Sequence, residues 1–332
     1  AASSVEPPWG KATDATTTST VSASATTASE VWICTVTPND GAEDGSSATV
    51  SVTIDSDWDG TREFSNCSQT GNTGPSQSQC DSEYSGGTLD GEVTLSSGIQ
   101  EWTVPADGSY QIEIAGAAGG DVPGYSSTRG GYGASMRGDF ILSQGDVLSI
   151  VVGQIGGDEN NTGYGGGGGG GGSFIYTGSV GGSGLLIAGG GGAGEKEDEA
   201  GDGPDAPTTN AASNNCGSGT GYGGGSYSGG GGGAGWLSTG TTGSSGSGNS
   251  PGGGHWNGGA SAGSGSDNYG GFGGGGGANN NESGGGGGYT GGCGSGNRGS
   301  NVGAGGSYND GSNQSNSSGA NSGHGYVYIE KL

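Results

Sequence analysis

Basic residues are scarce in this 332-residue sequence: seven Lys and Arg stand against 32 Asp and Glu, a formal net charge of −25. Nucleic acid and anionic membranes both require a positive face, so neither is expected as a partner. Apolar residues are also few, at 27%. No run of them nears the roughly 18 to 20 residues of a membrane span, and no membrane insertion is expected. Good helix formers are sparse and no apolar period of 3.6 occurs, so the chain should be all-β, with any helix short. Only His255 and His324 are available as imidazoles, and no cysteine pair has CxxC spacing, which disfavours zinc. No nucleophile elbow stands between a strand and a helix, and the glycine runs lack a phosphate-loop ending, so no catalysis is expected.

Glycine is what the sequence has, at 90 residues. Composition of that kind ordinarily signals disorder, because glycine loses the most backbone freedom on folding and brings no side chain to bury. Side-by-side extended helices that hydrogen-bond through backbone groups would compensate, a polyglycine counterpart of collagen. The tracts fall at 165–172, 189–194, 223–235, 252–259, 270–277 and 284–292.

Strand-like segments alternate with these tracts. Residues 1–30 form an extended Ser/Thr-rich arm, suited to adding a strand to a neighbouring sheet. Segments 31–37 and 47–54 alternate with period two about the turn-rich PNDGAEDG and predict a hairpin. Further strands are expected at 89–95, 100–104, 109–114, within 135–155 about a QGD turn, at 174–176, 185–188 and 325–331. Their regular spacing argues for a β-sandwich.

The strings EWTVPADGSYQIEIAGAAGG, LSQGDVLSIVVGQIG, GGGGGGGGSFIY, LLIAGGGGAG, GGFGGGGG and GGGGGYTGG occur in that order. Residues 65–332 thereby resemble the glycine-rich domain of the anaplastic lymphoma kinase and leukocyte tyrosine kinase receptor ectodomains, which similar prokaryotic surface proteins share. The resemblance implies a jelly-roll-like, tumour-necrosis-factor-type β-sandwich with an inserted bundle of polyglycine II helices, preceded by the arm and the hairpin. Residues 31–54 are similar to the end of a prokaryotic immunoglobulin-like repeat, and 31–64 are taken as one partial, immunoglobulin-like hairpin unit. Neither cytokine binding nor kinase activity carries over, because the first uses other surfaces and the second a domain with no counterpart among these residues.

Asp55, Asp57, Asp59 and Gly60 open a D-x-D-x-D-G loop suited to calcium, although Asn66 stands where an EF-hand needs Glu, and an acidic turn is the alternative. Arg137, Gly138 and Asp139 spell an integrin-binding tripeptide inside a strand-like segment, which reads as chance. Five cysteines suit an oxidising compartment. Cys67 and Cys80 close a short loop, Cys216 and Cys293 would tie distant glycine tracts, and Cys34 is left as a buried free thiol or a link between subunits. Acceptor triplets for N-glycosylation stand at Asn160, Asn281, Asn313 and Asn316, with Asn66 the poorest because cysteine follows it.

No charged, apolar leader stands at Ala1, which reads as a mature terminus after secretion. The leading expectation is a secreted, non-enzymatic structural protein of the cell surface, partnered with itself in a filament or sheath by strand addition from residues 1–30. The alternative is a monomeric adhesin or receptor-like module that holds glycan or protein through Tyr222, Tyr227, Trp236, Trp256, Tyr269, Phe272 and Tyr289. Those aromatics would otherwise serve to seal the glycine tracts.

Overall fold

A computed structural model of the chain describes residues 31–39, 41–53, 60–122, 129–158, 165–194, 202–227, 229–243, 252–257, 269–279, 282–296 and 301–332. It divides into two units, Ala1–Asp59 and Gly60–Leu332.

In the first unit, β1 (Val31–Val36) pairs antiparallel with β2 (Ala48–Thr53), in a register that sets Cys34 opposite Val50. The connecting turn is closed by the Gly45 N–H, which donates to the Pro38 carbonyl at 2.7 Å.

The second unit is an antiparallel sandwich. One sheet has the order β11 (Tyr308–Asn309), β10 (Leu185–Gly189), β9 (Ser173–Tyr176), β8 (Val147–Val151), β5 (Ile99–Thr103) and β4 (Val93–Ser96). The other runs β12 (Ser312–Asn321), β7 (Gly133–Leu142), β6 (Gly108–Ala115), β13 (Tyr326–Lys331) and β3 (Thr61–Phe64). Alternation decides which side chains meet. Tyr110, Ile112 and Ile114 of β6, Val327 and Ile329 of β13, and Leu148 and Ile150 of β8 are all fully buried. Each such side chain contributes about 1.5–3 kcal/mol by leaving water.

Residues 61–64 belong to this body and not to the hairpin unit with which the sequence grouped them. Phe64 and Arg62 lie opposite Val327 and Ile329 in the β3–β13 register. The Phe64 ring meets Trp102 of β5 edge-on at 6.2 Å, which joins the two sheets.

Two elements lie where the sequence shows no period. Helix α1 (Gln77–Tyr84) opens with the Ser76 N–H donating to Gln79 Oε1 at 2.9 Å, half of a capping box. Its Tyr84 hydroxyl donates to buried Gln100 at 2.7 Å and accepts the Ser65 N–H, and burial raises its pKa. The Asn/Ser-rich segment near the C-terminus forms β12, a ten-residue edge strand, through its backbone ladder to β7.

The glycine tracts follow a three-residue rhythm. The N–H groups of Gly284 and Gly287 donate to Gly167 and Gly170, those of Gly285 and Gly288 to Gly231 and Ala234, and those of Gly286 and Tyr289 to Gly303 and Gly306. Successive residues therefore address three different neighbours, and the fourth returns to the first. Tract 116–120 repeats the pattern: Gly116 and Gly119 donate to Ala134 and Gly131, and Ala117 and Gly120 to Gly171 and Gly168. Backbone approach is close enough that a Cβ on Gly286 would come within 3.0 Å of the Gly191 carbonyl oxygen.

Candidate functional site

The aromatic residues of the glycine tracts divide into two groups. Trp236, Trp256 and Phe272 are buried, and they pack with Phe174 and Tyr176 of β9 and with Val151, Leu185 and Ala188 on the face of β8 to β10 turned away from the other sheet. The Phe174 and Trp256 ring centroids are 4.6 Å apart, and those of Tyr176 and Trp236 are 5.2 Å apart. This group seals the tracts against the sandwich. Its members cannot reach a ligand without unpacking.

Tyr222 and Tyr227 behave otherwise, at 50% and 55% exposed, with Leu237, which lies against Gly221, at 42%. Their loop is fixed from several sides. A disulfide joins Cys216 to Cys293. The Gly221 N–H donates to Thr290 Oγ1 at 2.7 Å, the Leu237 N–H to the Gly221 carbonyl at 2.7 Å, and the Gly291 N–H to the Tyr222 carbonyl at 2.9 Å. The Cys293 N–H donates to the Asn214 carbonyl at 2.7 Å. Two exposed phenols are thus presented on backbone that is already ordered. Tyr269 and Tyr289 are half-buried, and Tyr289 stacks on Tyr308 at 5.0 Å.

A concavity of about 550 Å³ lies where α1 meets the glycine tracts, lined by Gln69, Thr73, Ser76, Gln79, Ser97 and Asn257 among others. Its polar groups largely satisfy one another: Gln79 Nε2 donates to Gln69 Oε1 at 2.7 Å, and Ser76 Oγ to Gln79 Oε1 at 2.8 Å. The second disulfide, Cys67 to Cys80, ties β3's exit to α1 nearby.

Arg137, Gly138 and Asp139 lie inside β7, paired on both sides. Asp139 accepts from Asn313 Nδ2 at 2.8 Å and from Gln111 Nε2, so the tripeptide is held in the sheet and not offered on a loop. Arg129 lies over the Tyr132 ring at 3.5 Å and forks onto Asp205. Burial pushes the Asp205 carboxyl up, but Arg129 and the Tyr132 N–H outweigh it and hold it below the usual carboxylate range.

Asp55, Asp57, Asp59, Asn160 and Asn281 lie outside the described residues. Among those described, no three His, Cys, Asp or Glu side chains gather as metal ligands. Asn313 and Asn316 are exposed on β12, with amide nitrogens engaged by Asp139 and Gln314. Cys34 is unpaired and exposed, not buried in its hairpin, where among the described residues β1 and β2 pair only with each other. Burial lowers the pKa of both histidines, and the Nδ1 lone pair of His324 is committed to the Ile155 N–H at 3.0 Å.

The separation of sealing from exposed aromatics was not legible in the sequence, where all seven sit in similar glycine contexts. The cysteines gave the missing signal, since Cys216 shares the loop that carries Tyr222 and Tyr227.

No family model matches the chain. Over 100 residues it is 37% identical to the leukocyte tyrosine kinase receptor of Mus musculus, a stretch that makes up 29% of this chain and 11% of the receptor. The chain is therefore related to that receptor family over part of its length, and the relation and the two disulfides both fit an extracellular setting.

Proposed function

We propose that the chain is a secreted, non-enzymatic binding module of a cell surface, in which a jelly-roll body braced by polyglycine II helices presents Tyr222 and Tyr227 to a glycan or protein. The three-residue rhythm of the glycine amides supports the helical brace, since such helices have three residues per turn. The observation that carries the binding reading is the exposure of two tyrosines on a loop tied by a disulfide and by backbone hydrogen bonds. Preordered aromatic contacts lose little conformational entropy on binding. The relation to a receptor supports the same reading. The filament expected from the sequence has no supporting observation among the described residues, and its arm, 1–30, lies outside them.

The test is a screen of the purified chain on glycan and extracellular-protein arrays beside a Tyr222→Ala/Tyr227→Ala variant of unchanged thermal stability. A ligand whose binding falls about tenfold or more in the variant supports the proposal. Binding that ignores both substitutions refutes the assignment of this surface.

A further inference from the structure

The hairpin of the first unit carries two different faces. Its register places Trp32 beside Val52, Cys34 beside Val50 and Val36 beside Ala48, so one face consists of these six side chains and is apolar throughout. Val36, Val50 and Val52 are 61%, 69% and 59% exposed, Cys34 and Ala48 are exposed as well, and Trp32 is half-buried. The opposite face mixes Val31 and Ile33 with Thr35, Thr49 and Ser51. Among the described residues the unit has only these two strands, which alone are marginally stable in water, and an apolar face as exposed as Val36, Val50 and Val52 favours cover.

We infer that this face is a self-association surface, covered by the same face of a second copy of the chain and locked by a Cys34–Cys34 disulfide. Charge favours a second copy at this place. At a net charge of −25 two chains repel over most approaches. Neither strand carries a charged residue, and the acidic Glu43 and Asp44 belong to the connecting segment.

Size explains the thiol. Six side chains per copy fall well short of the roughly 20–30 residues that each partner contributes to a stable interface. A covalent link at the central Cys34–Val50 pair makes up the shortfall, and disulfides between packed sheets are an established arrangement. The other four cysteines are joined in pairs, so Cys34 is the position at which a second copy can react. The chemistry balances with a small-molecule disulfide as oxidant. Two Cys34 thiols lose two protons and two electrons to form one S–S bond, and the oxidant is reduced to two thiols.

The experiment incubates the full chain in a buffer of oxidised and reduced glutathione and follows cross-linking by non-reducing electrophoresis, with peptide mapping of the bond. A dimer mapped to Cys34–Cys34 is expected, absent in Cys34→Ser. Val50→Arg, which keeps the thiol but sets a charge beside it, should slow cross-linking by about tenfold. Val36→Arg on the same face serves as a second variant, and the melting temperature of each is measured to verify the body. Three results overturn the inference: cross-linking of both arginine variants at the unsubstituted rate, Cys34 captured only as a mixed disulfide with glutathione, or a native Cys34 that resists alkylation because the chain covers its own face.

Discussion

In the sandwich, a strand such as β6 is held by what its side chains bury, with Tyr110, Ile112 and Ile114 all at 0% exposure. In tract 284–288 there is no side chain to bury, yet every N–H finds a partner and the partners rotate among three neighbouring segments. One region is ordered by removing apolar surface from water, the other by backbone approach that only glycine permits. Tolerance to substitution should follow that difference. A cavity is the failure expected in the first, and an intruding atom the failure expected in the second.

The largest expected effect breaks the sandwich. Trp102→Ala empties a site at 2% exposure that also meets Phe64 and donates to Glu92, and should cost about 3–5 kcal/mol in denaturant unfolding. Next stands the 77-residue disulfide loop, Cys216 to Cys293, against the 13-residue loop, Cys67 to Cys80. Replacing each pair with serine should cost about 4.5 and about 3 kcal/mol by loop entropy, in that order. Gly286→Ala should then cost about 3 kcal/mol, because its methyl meets a backbone carbonyl. Gly217→Ala, at φ +82 with nothing within 4 Å, should cost only about 1 kcal/mol. Equal losses at these two glycines would remove the close-approach argument.

The smallest effect is a pH dependence. Burial lowers the His324 pKa in the folded chain, and its Nδ1 accepts the Ile155 N–H, so folding favours the neutral ring. Its contribution is present above the unfolded value, about 6.5, and is lost as pH falls from there through the lower folded value. His324→Asn keeps an acceptor without the titration, so its melting temperature should fall less between pH 7 and pH 5 than that of the unsubstituted chain. Parallel curves would contradict this.

The sandwich strands legible in the sequence were those that bury alternate side chains, as at β6, β8 and β13, because apolar alternation is itself a physical demand of a half-buried strand. Strand β12 had no such pattern: SNQSNSSGAN is held by its ladder to β7 and by amides such as Asn313 on Asp139. Helix α1 hid for a similar reason, its one cue being the S-x-x-Q spacing of Ser76 and Gln79. The tracts themselves were legible, but which tract pairs with which was not, since glycines are interchangeable as letters and differ only in what surrounds them. The exposed tyrosines were named in the sequence together with five aromatics that the fold buries or half-buries.

Hydrogen–deuterium exchange, resolved to single amides, tests the account most directly. If backbone bonding orders the glycine tracts, the N–H groups of Gly284 to Gly288 exchange as slowly as those of Ile112 and Ile150, at the rate of global unfolding. Exchange of those glycine amides at the rate of an unstructured peptide, while Ile112 and Ile150 stay protected, would contradict it.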